Sequence, residues 1–412
     1  MVNSMPEAKK SGKIWVLNLD DFIFKDNALD ALKNYSPKYM QILKPGDLCI
    51  ISPHVSPDIS FVNYTARVKK ITNKNWVIMP KKHNLGEPLT SAVCKDKALL
   101  NKLKKLCAGN YIMIPLLYTK GFEELSRLCG NKIPNNSSAV REANDKLEFK
   151  KLCKRFNIAT IKPVFEKGKN NKFKIPAGVD RNQNFLLKRS FSAGGYDTVK
   201  GNLAALLNMT DRYQKEGRFL IEKFEDIYRT LGSLCMLKED GVHFAGIDCQ
   251  IIKKEAWEGC SYPFKKFDRA ILKEIKDKSL QLAKHYYKKG VRGQVNFDWA
   301  IIKRQGRPRL YALECNCRYN GFGLCLRLAS TVYNIPREKA HFYLDSKIKF
   351  SGKLTTSKLI AALDKINARQ KFRGGIVLTS AANKGKAGFC FIAENEKNLK
   401  TLRAGFKKIA LS

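Results

Sequence analysis

Apolar and polar positions alternate in short runs over the first third of the chain. Ile14-Trp15-Val16-Leu17-Asn18-Leu19, stopped by Asp20-Asp21, reads as a strand. Residues 47–52, opened by Pro45-Gly46, and residues 76–79, closed by Pro80, read as two more. Helical stretches over 27–34 and 96–107 fall between and after them. This alternation predicts an α/β unit over residues 1–135. The polar run 130–138 marks its end.

The pattern then changes. A helix carries Leu147, Leu152 and Phe156 among many lysines. A strand over 185–188, a small-residue loop over 190–196 and a helix over 203–213 follow. Strands over 219–224 and 231–237 lead through the turn Lys238-Glu239-Asp240-Gly241 into a strand over 242–252. Residues 268–289 form one long amphipathic helix: Asp268 suits its N-cap, Ile271, Ile275, Leu282 and Tyr286 share a face, and Gly290 stops it. Strands over 293–302 and 309–315 flank a polar turn. The tail, 346–412, reads as a further small unit with helices over 356–369 and 396–408 and strands over 374–379 and 388–393. No internal repeat is visible.

Composition narrows the class. At 412 residues the chain has room for two or three domains. Its 44% hydrophobic content supports a real core, so the chain is not a disordered basic tail. Lys and Arg total 77 against 37 Asp and Glu, a net charge of +40. That excess points to an acidic or polyanionic partner. An AT-rich genome, which favours Lys, Asn and Ile codons, would produce the same excess without any function. The longest apolar run, 111–118, is far short of the roughly 18 residues of a membrane helix, so no membrane is expected as a partner. The first apolar run, with Glu7 before it and acids behind it, does not read as a signal peptide. Twelve Cys are scattered with no Cys-x-x-Cys, and five His stand far apart. A structural zinc site is therefore not expected, and reduced thiols in the cytoplasm are.

Three segments carry chemistry. An antiparallel hairpin centred near Gly306 pairs residues whose numbers sum to about 612. Asp298 then faces Glu314, and Glu314 and Asn316 share one face of their strand. Two carboxylates and an amide oxygen suit Mg²⁺ or Mn²⁺ bound against phosphates; an exposed hairpin with ordinary polar residues is the alternative. In the second segment, Lys188 ends a strand before a loop containing Ser192, Gly194 and Gly195. Backbone N–H groups of such a loop can cradle phosphate, although Gly-Lys-Ser/Thr is missing. The third, Phe219-Leu220-Ile221-Glu222-Lys223-Phe224-Glu225-Asp226, is an apolar strand running into acids.

In this order the segments resemble the ATP-grasp superfamily. Asn144-Asp145-Lys146-Leu147 is similar to its Asp-Lys helix start, 185–196 to its Lys strand and phosphate loop, Ile221-Glu222-Lys223-Phe224 to its hinge strand, and Glu314-x-Asn316-x-Arg318 to its metal-binding core. The resemblance covers about residues 140–330. It implies a pre-ATP-grasp α/β domain over 1–135 and an ATP-grasp domain over 140–345, with a lid at about 140–225 and a core at about 226–345. A small C-terminal α+β unit over 346–412 follows, so the fold class is α/β and α+β multidomain. The tail, with Phe372-Arg373-Gly374-Gly375, is similar to peptide ligases of the pheganomycin-ligase type. The implied activity is a ligase joining a small-molecule or peptide carboxylate to an amine, using ATP and Mg²⁺.

Family roles follow residue by residue. Lys146 and Lys188 would bind phosphates, and Ser192, Gly194 and Gly195 would form the lid loop. Glu222, Lys223 and the Phe224 backbone would meet adenine, with Glu225 or Asp226 at the ribose. Asp298, Glu314 and Asn316 would hold the metal. Asn296 stands where D-alanine ligases carry an Arg, so the developing charge falls to Arg318 or Arg292. The competing reading is a basic nucleic-acid- or polyanion-binding protein on a vestigial fold; against it, the chain has no zinc-finger spacing, no RNP-like motif and no basic tail.

Overall fold

The computed structural model describes residues 12–21, 29–131, 133, 135–166, 179–180, 183–192, 198–215, 217–253, 256–264, 267–350 and 354–410. The chain divides into two compact units. The first takes residues 1–134 with 351–360 and 379–387; the second takes 135–350, 361–378 and 388–412.

The first unit is built on a parallel sheet of β1 (Lys13–Val16), β2 (Leu48–Ile50), β3 (Val77–Ile78) and β4 (Ile112–Pro115), in the order β3-β2-β1-β4. The apolar run 111–118 supplies β4. Ile14, Val16, Cys49, Ile50 and Met113 are fully buried, as expected of a parallel sheet covered on both faces. Asp47 ties the sheet's lower edge: it accepts from Trp15 Nε1 at 3.0 Å and from the Lys13 and Lys44 amides at 3.0 and 2.9 Å. Side-chain caps start the helices Ile59–Lys69 (Asp58), Lys97–Ala108 (Asp96) and Lys120–Leu128 (Thr119).

The second unit holds two sheets. In the smaller, β5 (Pro163–Glu166), β6 (Asn184–Arg189), β7 (Val199–Asn202) and β8 (Phe219–Lys223) run antiparallel in the order β5-β8-β6-β7. Phe185, Leu187, Phe219 and Ile221 from the strands pack with Leu203, Leu206 and Tyr213 into one cluster. The helix expected over 203–213 divides at Met209 into Leu203–Asn208 and Thr210–Lys215.

The larger sheet contains β9 (Ile227–Lys238), β10 (Gly241–Lys253), β11 (Ala256–Tyr262), β12 (Gly293–Arg304), β13 (Arg307–Asn316), β14 (His341–Lys349), β15 (Gly374–Asn383) and β16 (Lys386–Ala393). Their order is β13-β12-β9-β10-β11-β14-β16-β15. The helix Arg269–Lys288, capped by Asp268, packs on β9 and β10. Its Ser279 hydroxyl meets that of Ser233 at 2.7 Å, and Trp299 Nε1 donates to Ser233 Oγ at 2.8 Å.

The residues 346–412 expected to form a separate small unit do not stand alone. They divide between the two units, and β15 and β16 continue the large sheet beside β14. At Gly374, where φ is +149°, a Cβ would collide with the carbonyl oxygen of Ile392 on β16. The glycine there serves close strand packing. All twelve cysteines are free thiols. No helix among the described residues is long and apolar enough to cross a membrane.

Candidate functional site

The β12–β13 hairpin brings together the acids expected from its register. Asp298 pairs with Glu314 and Asn296 with Asn316; the register slips by one only beyond Asp298. Phe297 and Trp299, on the other face, are fully buried. Asp298 Oδ1 accepts from Gln250 Nε2 and Asn296 Nδ2, both at 2.7 Å. Its Oδ2 accepts from Asn316 Nδ2 at 2.7 Å, and the same amide reaches Glu314 Oε1 at 3.2 Å. Burial works against charge on both acids. At Glu314 the nearby Lys146 and Arg318 outweigh burial and hold the carboxyl down at about 2. At Asp298 burial and the adjacent Glu314 charge push the carboxyl well above its ordinary value.

That imbalance fits a cation. Two half-buried carboxylates face one another, and the Asn316 NH₂ group bridges them where positive charge is wanted. The amide's other end offers an oxygen once rotated. Among the described residues no three His, Cys, Asp or Glu are arranged to hold a metal. Two carboxylates completed by an amide and by substrate oxygens form a donor set suited to Mg²⁺.

Lysines approach from the smaller sheet's side of the unit. Asp145 caps the helix Lys146–Arg155, accepting from the amides of Leu147 and Glu148 at 2.9 and 3.2 Å and from the Ser190 hydroxyl. The Lys146 amide donates to the Ser190 carbonyl at 2.8 Å, fixing the helix start against the end of β6. Lys146 Nζ then lies 2.9 Å from Glu314 Oε2 and 3.1 Å from Ser192 Oγ. Lys188, on β6, lies 2.8 Å from Glu222 Oε2 on β8. Lys150 Nζ is 2.5 Å from Glu222 Oε1 and donates to the Ile161 carbonyl at 2.8 Å. Burial would raise the Glu222 carboxyl, but Lys150 and Lys188 hold it at about 2. Lys188, which burial would lower, is raised by Glu222 and by the charge of Glu314. Lys146, Lys188, Glu222 and Glu314 thus form one electrostatic cluster.

Arg318 donates to Asn144 Oδ1 at 2.9 Å, and the same oxygen accepts from the Cys317 amide at 3.0 Å. Asn144 therefore sets the direction of the guanidinium at the end of β13. Arg292 is placed otherwise than expected. Its guanidinium donates to the carbonyls of Tyr287 and Val291 at 3.0 and 2.9 Å and stacks 4.0 Å from the Tyr287 ring. It closes the C-terminal end of a helix, where unpaired carbonyls draw cations, and takes no part in the cluster.

The expected hinge segment, Ile221-Glu222-Lys223-Phe224, makes its contacts within the small sheet and its surroundings. The Phe224 amide donates to the Asn184 carbonyl at 2.9 Å, so that donor is used within the sheet. Lys200 Nζ sits 3.7 Å from the Phe224 ring. Lys223 and Asp226 are exposed, and Glu225 pairs with Arg304 at 2.7 Å. Gly194 and Gly195 lie outside the described residues. Sequence reasoning missed Lys150, Asn144 and Gln250. Lys150 carried a signal: it stands four residues after Lys146, hence on the same helix face. Asn144 stood in the helix-start motif without a role of its own, and Gln250 carried no signal.

No family model matches the sequence, and no curated protein matches it. Solved structures do. N5-carboxyaminoimidazole synthase from Aspergillus clavatus, solved with ADP and 5-aminoimidazole ribonucleotide, is similar over 98% of this chain and 99% of its own, with a TM-score of 0.59 at 13% identity. Biotin carboxylase from Campylobacter jejuni, in a β-γ-ATP complex, is similar over 96% of this chain and 90% of its own, with a TM-score of 0.60 at 14% identity. N5-carboxyaminoimidazole ribonucleotide synthetase from Thermus thermophilus gives 97% and 98% coverage, a TM-score of 0.58 and 13% identity. The likeness is one of fold: the chain shares the multidomain α/β architecture of these structures.

Proposed function

We propose that this chain is an ATP- and Mg²⁺-dependent ligase that activates a carboxylate as an acyl phosphate and joins it to an amine, releasing ADP and phosphate. The observation that carries this reading is the cluster of Lys146 and Lys188 with Glu314, beside Asp298, Asn316 and Arg318. In it, two lysines are held by carboxylates at the place where phosphates would compete for them. Lys146 and Lys188 would turn from Glu314 and Glu222 to phosphate oxygens. Asp298, Glu314 and Asn316 would hold Mg²⁺, which supplies charge neutralisation on the transferring phosphate. Arg318, held by Asn144, would steady the carboxylate and then the acyl phosphate.

No protein nucleophile enters. Burial raises the thiols of both Cys315 and Cys317, the latter to about 12, so neither supplies a thiolate at neutral pH. The work left to the protein is positioning and charge compensation. Free thiols and ATP chemistry support a cytoplasmic location.

The peptide-like product rests on the resemblance of the tail alone. A second reading has its own support. The names of the similar structures are those of carboxylating enzymes, so bicarbonate is a competing carboxylate and a carbamate the product. An ADP-release screen separates the two, with bicarbonate in one arm and amino acids, short peptides and polyacidic carboxylates in the others, each with and without amines. Release that depends on one carboxylate names the substrate class. Release indifferent to every carboxylate contradicts the ligase reading.

A further inference from the structure

The first unit contains a cavity formed by the loops beyond the carboxyl ends of β1, β2 and β3, where open parallel sheets place their ligands. It is an open cleft, and its empty space, open solvent included, amounts to about 360 Å³. Its walls are partly apolar, with Leu32, Val55 and Leu85, and partly polar, with Asp20, Ser52 and His83. Leu85 is 54% exposed, an apolar residue left at the surface on a loop.

Asp20 is the unexplained member. It is only 7% exposed, yet among the described residues neither of its oxygens has a partner in hydrogen-bonding geometry. Its neighbour Asp21, buried to the same degree, accepts from Asn18 Nδ2, Thr90 Oγ1 and Thr119 Oγ1 at 2.8, 3.0 and 2.7 Å. The other polar groups of the cavity are engaged elsewhere. His83 Nδ1 meets Ser52 Oγ at 2.9 Å and its Nε2 meets the Glu87 carbonyl at 2.7 Å, leaving Nε2 4.0 Å from Asp20, beyond bonding reach. The Glu87 carboxylate is paired with Lys95 at 2.6 Å. A buried carboxylate without a donor is costly, and native proteins retain one mainly where a ligand or function compensates.

We propose that this cavity binds the ammonium group of a small primary amine, with Asp20 as its counter-ion and the alkyl part against Leu32, Val55 and Leu85. An ammonium supplies both missing items, N–H donors and positive charge; a water molecule supplies only the first. Burial and the charge of Asp21 push the Asp20 carboxyl up to about 8; its own backbone and the nearby Ser52 hydroxyl ease this only slightly, neither lying in hydrogen-bonding geometry. The proposal does not depend on the ligase reading.

The test uses the full chain with isotope-labelled histidine. Of its five His, only His54 and His83 line the cavity, so His243, His285 and His341 serve as internal controls. The probe is n-propylammonium, with n-propanol and tetramethylammonium as controls that lack the charge or the N–H donors. Saturable shifts confined to His54 and His83, given by n-propylammonium alone, are expected. Asp20→Asn should weaken the interaction by about tenfold or more. In the wild-type protein the thermal midpoint should rise with n-propylammonium and not with n-propanol. Absence of a saturable shift, equal shifts with either control, or undiminished binding in a folded Asp20→Asn protein would overturn the proposal. So would an unchanged wild-type midpoint at saturating amine.

Discussion

Glu222 and Asp20 are both acids hidden from water, 2% and 7% exposed, and they are treated in opposite ways. Glu222 lies between Lys150 and Lys188 and is kept ionised. The group nearest Asp20 that can carry positive charge, His83, has its Nε2 4.0 Å away and against the Glu87 carbonyl, and Asp20 is pushed toward its neutral form. Burial penalises charge at both places, so the difference lies in what stands opposite. Where the chain supplies its own cations, those cations can turn to an anionic ligand, because the acid behind them keeps them in place. Where the chain supplies none, a cationic ligand completes the site. On the readings proposed above, the first region would take phosphates and the second an ammonium.

The largest effect that would break this comparison lies at Glu314, which holds Lys146 and faces Asp298. Glu314→Gln keeps the shape and removes the charge. Turnover should fall by about 10- to 100-fold, with part of the loss recovered at raised Mg²⁺. Unchanged turnover would remove Glu314 from the metal site. Next comes Lys188→Ala, which should weaken ATP by about tenfold and adenosine hardly at all, since adenosine lacks the charge that Lys188 meets. Equal losses measured by calorimetry would make Lys188 a purely structural partner of Glu222.

A smaller effect separates the two acids by sign. Glu222 has its carboxyl depressed to about 2, so its stabilising contribution is present above the ordinary carboxylate value and is lost as pH falls through about 2. Glu222→Gln should therefore cost about 1–3 kcal/mol at pH 7, and the cost should shrink in acid. Asp20 is raised to about 8, so its burial costs progressively more stability as pH climbs from its ordinary value near 3.8 to pH 8. Asp20→Asn should stabilise the protein, by about 1–3 kcal/mol at pH 8 and by less at pH 5. Denaturant unfolding of both variants across pH decides the matter. Slopes of the same sign in both would erase the distinction.

The site was legible in the sequence where it depends on local geometry. The turn at Gly306 places the two strands to within one residue, and the one-residue shift between Asp298 and Trp299 then sets Asp298 against Glu314. Asp145 before Lys146 marks a helix start through its capping chemistry. Residues whose roles depend on distant parts of the chain were out of reach. Nothing near Gln250 announces that β10 lies one strand beyond β9 from β12, with its amide on Asp298. Arg292 looked like a spare cation close to the metal strand, but a carbonyl-rich helix end lies just before it and claims its guanidinium. The alternating strands of the tail were found, yet their joining the large sheet was not, because edge-to-edge pairing between distant segments leaves no local mark. Asp20 and Asp21 look identical in sequence; only the positions of Asn18, Thr90 and Thr119 separate a satisfied acid from an open one.

The most direct measurement is hydroxylamine trapping during ATP turnover, followed by phosphorus NMR of the nucleotide products. With the correct carboxylate and hydroxylamine in place of the amine, an acyl phosphate held by Arg318 and the two lysines yields a hydroxamate in step with ADP and inorganic phosphate. The appearance of AMP and pyrophosphate, or of ADP that needs no carboxylate, would contradict the account.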